Sequence, residues 1–334
     1  MFNLKDKLLP NQELPISSCI ASSFPPIVGT LQDLIYGALM IVNGSHSEAF
    51  YLLHGGAGPM DPSKPWVHKA TSALIELGKI LEMKPYQSGI DFITEGLMLL
   101  EDHPEFNAGL GSALQADGQA RLTTSVMSGP QQSFSAVMSL EGIRHPSKLA
   151  RRLQEKSSRV LTAPGHQRLA QELALPFENL VVPKRLDAWL KDIREAMPDH
   201  DTVGCVLYHP RDGVFAGSST GGRGFETPGR ISDSGTVAGN YASRFAAVTV
   251  TGIGEEIVDD AVAARLESRV RDGMSLEEAG QKTYHEAKAL QRSYGWVATD
   301  HHGCWQVAYT SQAMTFLGRS LVGDHLIDSM VAFD

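Results

Sequence analysis

The chain has 334 residues, 42% of them hydrophobic, and a formal charge of −9. That length holds either two domains or one large α/β unit with a sizeable core, and that composition excludes a disordered chain. An acidic balance with no Lys/Arg run excludes an extended nucleic-acid or anionic-membrane surface, so small or neutral partners are expected.

Residues 1–50 read as an N-terminal extension without defined structure. Its apolar run from Leu34 to Val42 is too short to span a bilayer. Lys5 and Lys7 lead into Leu8-Leu9-Pro10-Asn11-Gln12-Glu13 rather than into the apolar run of a signal peptide. Tyr51 to Leu53 reads as a buried strand entering His54-Gly55-Gly56-Ala57-Gly58, whose glycines permit a tight turn or close approach; the spacing is neither a P-loop nor a dinucleotide fingerprint. Helical periods follow over 65–82 and 88–101. An Asn/Gly-rich loop, Phe106 to Ser112, precedes hairpin pieces around the turn signal Asp117-Gly118. Residues 133–140 suit a strand, 146–155 a helix opened by Pro146, and 186–196 a helix ended by Pro198. Beyond Thr202 come two strands, 203–209 and 214–218, joined at Pro210-Arg211-Asp212-Gly213. Residues 246–251 form another strand and 255–271 a helix closed by Gly273. Ser275 to Glu278 is a capping box opening the next helix, and strands 296–299 and 305–309 flank His302-Gly303. This order suggests sheets inside and helices outside.

The centre of interest is His200-Asp201-Thr202-Val203-Gly204. A threonine at the head of a strand, after a polar connection containing Pro198, becomes a nucleophile with its own base if the Asp201-Thr202 bond is broken. An α-amino group has a reference pKa of about 7.7 to 8.0 and can take the hydroxyl proton. The plain alternative is an ordinary β-former starting a strand. Because the two hairpin strands are of similar length, Thr220 should return to lie beside Thr202.

A set of motifs stands in a telling order: His54 to Gly58, Phe106 to Ser112, Asp201 to Gly204, Ser219 to Gly222, Pro228 to Ser234, Tyr241-Ala242 and Thr251 to Glu255. Together they resemble the plant-type asparaginase family, which is similar to isoaspartyl peptidases, glycosylasparaginases and threonine aspartase, all N-terminal nucleophile hydrolases. The resemblance covers roughly residues 51 to 309. It implies a four-layer αββα sandwich made as a self-cleaving precursor, with an α-chain part over 51–201 and a β-chain part over 202–334. Thr202 matches the nucleophile and Thr220 the threonine that contacts it. Thr251 and the backbone of Gly252 match the oxyanion site, where donors at a strand end can meet developing charge. Arg230 and Asp233 match the pair that holds the substrate's α-carboxylate and α-ammonium, as a guanidinium fork and a carboxylate can. Ile231, Ser232, Ile253 and Gly254 fill out the substrate-binding stretches, Asn107 supports the loop before them, and His54 is read as structural.

Departures keep the substrate open. Asp201, preceded by His200, resembles the glycosylasparaginase and threonine aspartase junction, whereas asparaginases of this family have Gly there. The chain reads Arg121-Leu122-Thr123-Thr124-Ser125 where the family tends to Glu-x-Asp-Ala-Ser, and its loop 235–240 is short. The expected activity is hydrolysis of L-asparagine or of β-aspartyl dipeptides through a β-aspartyl ester on Thr202. The alternatives are a glycosylasparaginase-like enzyme, a threonine aspartase-like endopeptidase and an uncleaved binding protein. An amino-acid or dipeptide substrate is expected, with no nucleic acid, no membrane and a homodimer of cleaved units. Cys19, Cys205 and Cys304 form neither a disulfide framework nor a zinc pattern, which points to a reducing, cytoplasmic setting. No redox cofactor or catalytic metal is implied; the resemblance implies a structural Na⁺ held by backbone carbonyls near 99–106.

Overall fold

The computed structural model describes residues 41–59, 66–195, 202–322 and 326–329. In chain order its strands are β1 (Ile41–Ser45), β2 (Phe50–Gly58), β3 (Leu122–Ser128), β4 (Ser133–Leu140), β5 (Val160–Leu161), β6 (Val203–His209) and β7 (Gly213–Thr220), then β8 (Asn240–Ala242), β9 (Ala246–Gly252), β10 (Tyr294–Asp300), β11 (Cys304–Tyr309), β12 (Ala313–Ser320) and β13 (Leu326–Ser329). They form a five-stranded sheet, order β1-β11-β10-β9-β8, and an eight-stranded sheet, order β13-β12-β2-β6-β7-β3-β4-β5. The helices are α1 (Trp66–Glu82), α2 (Gly89–Asp102), α3 (Pro146–Leu153), α4 (Gly165–Glu172), α5 (Pro183–Glu195), α6 (Gly254–Asp260), α7 (Val262–Arg271) and α8 (Leu276–Ala289).

Alternation along the strands explains the layering. In β2, Tyr51 and Leu53 join Leu74, Leu77 and Leu97 of α1 and α2, whereas Phe50 and Leu52 join Val297 and Val307 of the smaller sheet. Successive strand side chains point to opposite faces, so β2 is buried on both and its sequence is nearly continuous in apolar and small residues. In β9, Val248 and Val250 pack with Leu266 of α7 and Ala279 of α8, leaving Ala247 for the space between the sheets. Three stacked cores thus separate four layers, helix, sheet, sheet, helix, as expected of the αββα sandwich.

Where sequence and structure differ, local reasons are visible. The expected extension over 1–50 does not hold for its last ten residues: Ile41–Ser45 pairs antiparallel with β11, and β2 begins at Phe50. The His54 to Gly58 glycines lie in β2 itself. Gly55 packs so closely that a Cβ there would stand 2.6 Å from the Phe106 ring and 2.9 Å from Thr315 Oγ1. The single helix expected over 255–271 is two, broken at Ala261 with φ 47°. There the carbonyls of Ala238 and Val237 accept from Ala263 N (2.8 Å) and Ala264 N (3.2 Å), capping α7 from outside. Around Asp117-Gly118 only the turn forms, closed by Gly118 N to Gln115 O at 2.8 Å, and the strand begins at Leu122. The hairpin of β6 and β7, the capping box of α8 and the strand 133–140 stand as expected.

Candidate active site

One end of the space between the sheets is polar. Phe50, Leu52, Val206, Val214 and Ala216 fill the other end; their strands place His54, Thr202, Gly204 and Thr220 on the same inner face by two-residue steps. From the opposite sheet Thr249 and Thr251 do likewise, being two and four residues from Ala247. All three expected hydroxyls are buried: Thr202 is 6% exposed, Thr220 1% and Thr251 0%. The register Val203↔Ser219 sets Thr202 opposite Thr220, and Thr202 N donates to Thr251 Oγ1 across the sheets at 3.3 Å. Thr220 Oγ1 in turn accepts from Gly222 N at 3.1 Å. Asp201 and His200, the other half of the expected cleavage junction, lie outside the described residues.

His54 is fully buried beside Thr202, 3.4 Å from Thr249 Oγ1 and hydrogen-bonded to the Thr202 backbone. Burial drives its pKa down to about 3, against the small upward pull of that hydrogen bond. The ring is therefore neutral near pH 7 and a weak proton acceptor. Gly204 is required by it: a Cβ there would fall inside the His54 ring's contact distance and 2.6 Å from Thr249 Oγ1.

The next stretch brings the expected substrate pair together. Gly254 opens α6 between them, with its absent Cβ position 2.5 Å from Arg230 Nη2 and 2.7 Å from Asp233 Oδ1. Asp233 is 2% exposed, accepts from Ser232 Oγ at 2.9 Å, and leaves Oδ2 unpartnered among the described residues. Burial raises its carboxyl to about 6, with the Ser232 hydrogen bond and the Arg230 charge pulling the other way. Arg230 is itself engaged: Nη1 lies 2.8 Å from Glu226 Oε1 and Nη2 3.0 Å from Glu255 Oε1. Neither glutamate was singled out from sequence: Glu226 stands four residues before Arg230, but that spacing signals a pair on a helix and this stretch is a loop. Ile231 is 44% exposed at the rim. Gly252, at φ 135°, presses on Tyr294, and Ile253 N bonds Ser293 O at 3.0 Å, which fixes the turn from β9 into α6.

Asn107 ties the glycine loop after β7 to the loop after α2. Its Nδ2 donates to Gly222 O at 2.5 Å, its Oδ1 accepts from Ala113 N at 2.7 Å, and its carbonyl accepts from Gly221 N at 3.0 Å. Sequence reasoning missed Glu101, buried beneath this junction. It accepts from Ser147 Oγ and Ser219 Oγ, both at 2.7 Å, and so braces the residue before Thr220. Burial raises its pKa to about 8, outweighing those hydrogen bonds, which favour the ionised form. Nearby, the carbonyls of Pro104 and Phe106 turn toward Gly111, where a Cβ would lie 2.7 Å from Pro104 O and closer still to Phe106 O. Such clustered carbonyls suit a hard monovalent cation. Among the described residues no group of three or more His, Cys, Asp or Glu is placed to hold a metal, and no helix is long and apolar enough to cross a membrane.

Comparison with known proteins bears on these features together. Residues 47–320 match the family described as Asparaginase. An isoaspartyl peptidase/L-asparaginase of Synechocystis is 36% identical over 274 residues, covering 75% of this chain and 82% of the relative. The isoaspartyl peptidase of Escherichia coli is 32% identical, with 80% and 91% covered. A plant-type L-asparaginase of Pyrococcus horikoshii is 30% identical, with 68% and 81% covered. The chain belongs to the asparaginase family of N-terminal nucleophile hydrolases.

Proposed function

We propose that this asparaginase-family hydrolase cleaves the side-chain amide of L-asparagine or the β-linkage of isoaspartyl dipeptides, releasing L-aspartate, with Thr202 as nucleophile. One observation carries the assignment of roles: three buried threonines converge where the sheets meet, with Thr202 N 3.3 Å from Thr251 Oγ1, next to an arginine and an aspartate that share Gly254.

In this reading the Asp201-Thr202 bond is cut by the protein itself, which divides the fold into parts 1–201 and 202–334 and frees the Thr202 amine. Asp233 receives the substrate's α-ammonium and Arg230 its α-carboxylate, within the stretches Arg230 to Asp233 and Thr251 to Gly254. Thr202 Oγ attacks the β-carbonyl carbon while the amine takes the hydroxyl proton. The Thr251 hydroxyl and the Gly252 N–H face the developing oxyanion, where fixed donors act most strongly, and Thr220 orients the attacking oxygen. As the C–N bond breaks, the proton passes to the departing ammonia or amine, leaving a β-aspartyl ester. Water then adds to that ester, gives a proton to the amine, and L-aspartate departs as Thr202 Oγ regains its hydrogen. His54, neutral and buried, holds the strand in place.

Two measurements test this. Mass spectrometry of purified protein should give two chains, the smaller beginning at Thr202, and Thr202→Ala should stay whole; an uncleaved, inactive wild type ends the proposal. A panel of L-asparagine, β-aspartyl dipeptides and N-glycosyl asparagine separates the favoured substrates from the glycosylasparaginase-like alternative that Asp201 raises.

Three further features belong to the same proposal. The carbonyls around Pro104 and Phe106 would hold a structural Na⁺ that stiffens the Asn107 loop and takes no part in the chemistry. The working unit is a homodimer of cleaved units, checked by light scattering. A small-molecule substrate, with neither nucleic acid nor membrane as partner, fits the charge of −9, and a cytoplasmic setting fits the irregular cysteine spacing.

A further inference from the structure

The arginine of the proposed clamp already has two internal carboxylates, and the two differ in kind. Glu255 is 55% exposed on its side chain, so water and salt screen it. Glu226 is 8% exposed, and its Oε1 contacts Arg230 Nη1 at 2.8 Å and accepts from Arg223 N at 2.9 Å. Its Oε2 is buried without a partner among the described residues, and it lies 2.6 Å from where a Cβ on Gly222 would stand. Gly222, at φ 85°, is thus a position where only glycine leaves room for this carboxylate.

Charge counting gives the consequence. Arg223 and Arg230 face Glu226, Asp233 and Glu255, with Arg223 Nη1 3.6 Å from Glu255 Oε2. Two cations against three carboxylates give this side-chain cluster a formal charge of −1. A free amino acid brings an ammonium and a carboxylate, which suits a neutral clamp. A molecule with the α-ammonium but an uncharged α-carboxyl brings one positive charge, which suits the clamp as built.

We propose that Glu226 is a specificity-determining residue that occupies Arg230 from within and widens the substrate class to β-amides and β-aspartyl compounds whose α-carboxyl is amidated. This rests on the substrate reading above and extends it. A carboxylate substrate must displace or share the Glu226 contact to reach Arg230; an amide need not.

The test compares L-asparagine with L-asparaginamide at pH 7, following release of aspartate and of aspartic α-amide by chromatography. Glu226→Gln keeps the side-chain shape and an acceptor for Arg223 N but removes the charge. The ratio of kcat/KM for asparagine over asparaginamide should rise about tenfold, equivalent to about 1.4 kcal/mol, with KM moving more than kcat. Glu226→Asp, which keeps the charge but draws it back, should give an intermediate ratio and serves if the Gln variant does not accumulate as two chains. A residue that merely supports the loop would slow both substrates in parallel; an unchanged ratio in active enzyme therefore overturns this inference and leaves the asparaginase reading intact. A wild type processed into two chains yet inert on both compounds overturns the substrate reading and this one with it.

Discussion

Replacing Glu101 by glutamine should change how stability depends on pH. Its carboxyl is fully buried and its pKa lies at about 8 instead of the ordinary 4.5. For an acid raised in the folded state, the native structure is favoured while the group is protonated in both states. The advantage is lost as pH climbs from 4.5, where the unfolded chain begins to ionise, to 8, where the native protein follows. A displacement from 4.5 to about 8 corresponds to at most about 5 kcal/mol. At about 2 to 4 °C per kcal/mol, wild-type Tm should drop by on the order of 10 °C over that window from this group alone. Glutamine keeps an acceptor for Ser219 Oγ, and its amide can donate to a reoriented Ser147 Oγ. Thermal unfolding from pH 4.5 to 8.5, with both proteins in the Thr202→Ala background that the proposed cleavage cannot divide, should show the Tm with Glu101 falling away from a flatter Glu101→Gln profile. Parallel curves would refute the buried-acid argument and mean that the Ser147 and Ser219 hydrogen bonds keep Glu101 ionised throughout.

The remaining predictions concern the site. Arg230→Ala should raise KM for asparagine at least tenfold while two-chain processing proceeds, because the precursor's scissile bond offers no free amino-acid ends; normal kinetics on every panel member would dismiss the clamp. Gly204→Ala should cost about 1 to 3 kcal/mol from overpacking and slow processing, since the new methyl meets the His54 ring and Thr249; a Tm within a degree of wild type would contradict the packing described. Because burial holds Asp233 at about 6, the ionised form to which the proposal assigns ammonium binding is lost as pH falls through 6. KM for asparagine should rise there, whereas KM for succinamate, which lacks the α-ammonium, should not; a parallel rise for both would show that another group governs the limb.

The parts of this fold that could be read from sequence are those governed by neighbours in the chain. Asp212-Gly213 sets the hairpin, and the hairpin's equal arms carry Thr220 back to Thr202; Ser275 and Glu278 cap α8 from within one turn. What escaped was set by distant partners. β12 reads as an unremarkable mixture of apolar and polar residues, yet its Arg319 is 5% exposed and pairs with Glu82 of α1 at 2.9 Å through Nη2. The break at Ala261 exists because a loop more than twenty residues earlier offers carbonyls to α7. Glu101 and Glu226 look like surface residues until the packing that buries them is known. The family pattern nominates Thr202, Arg230 and Asp233 as site residues, but the charges that oppose Arg230 are visible only in three dimensions.

The strand order of the larger sheet carries a last implication. β2 lies between β12 and β6, and β3 lies beside β7, so segments before and after position 202 interleave like the fingers of two hands. β1 adds another such seam against β11 in the smaller sheet. Neither segment owns a complete sheet. If the bond before Thr202 is severed, the native assembly keeps its hydrogen-bonded seams, but a denatured sample becomes two separate molecules that must find each other before any core can form. Maturation would then be a one-way ratchet: the information needed to fold is carried by the intact chain, and the working enzyme survives on the height of its unfolding barrier rather than on its capacity to fold again.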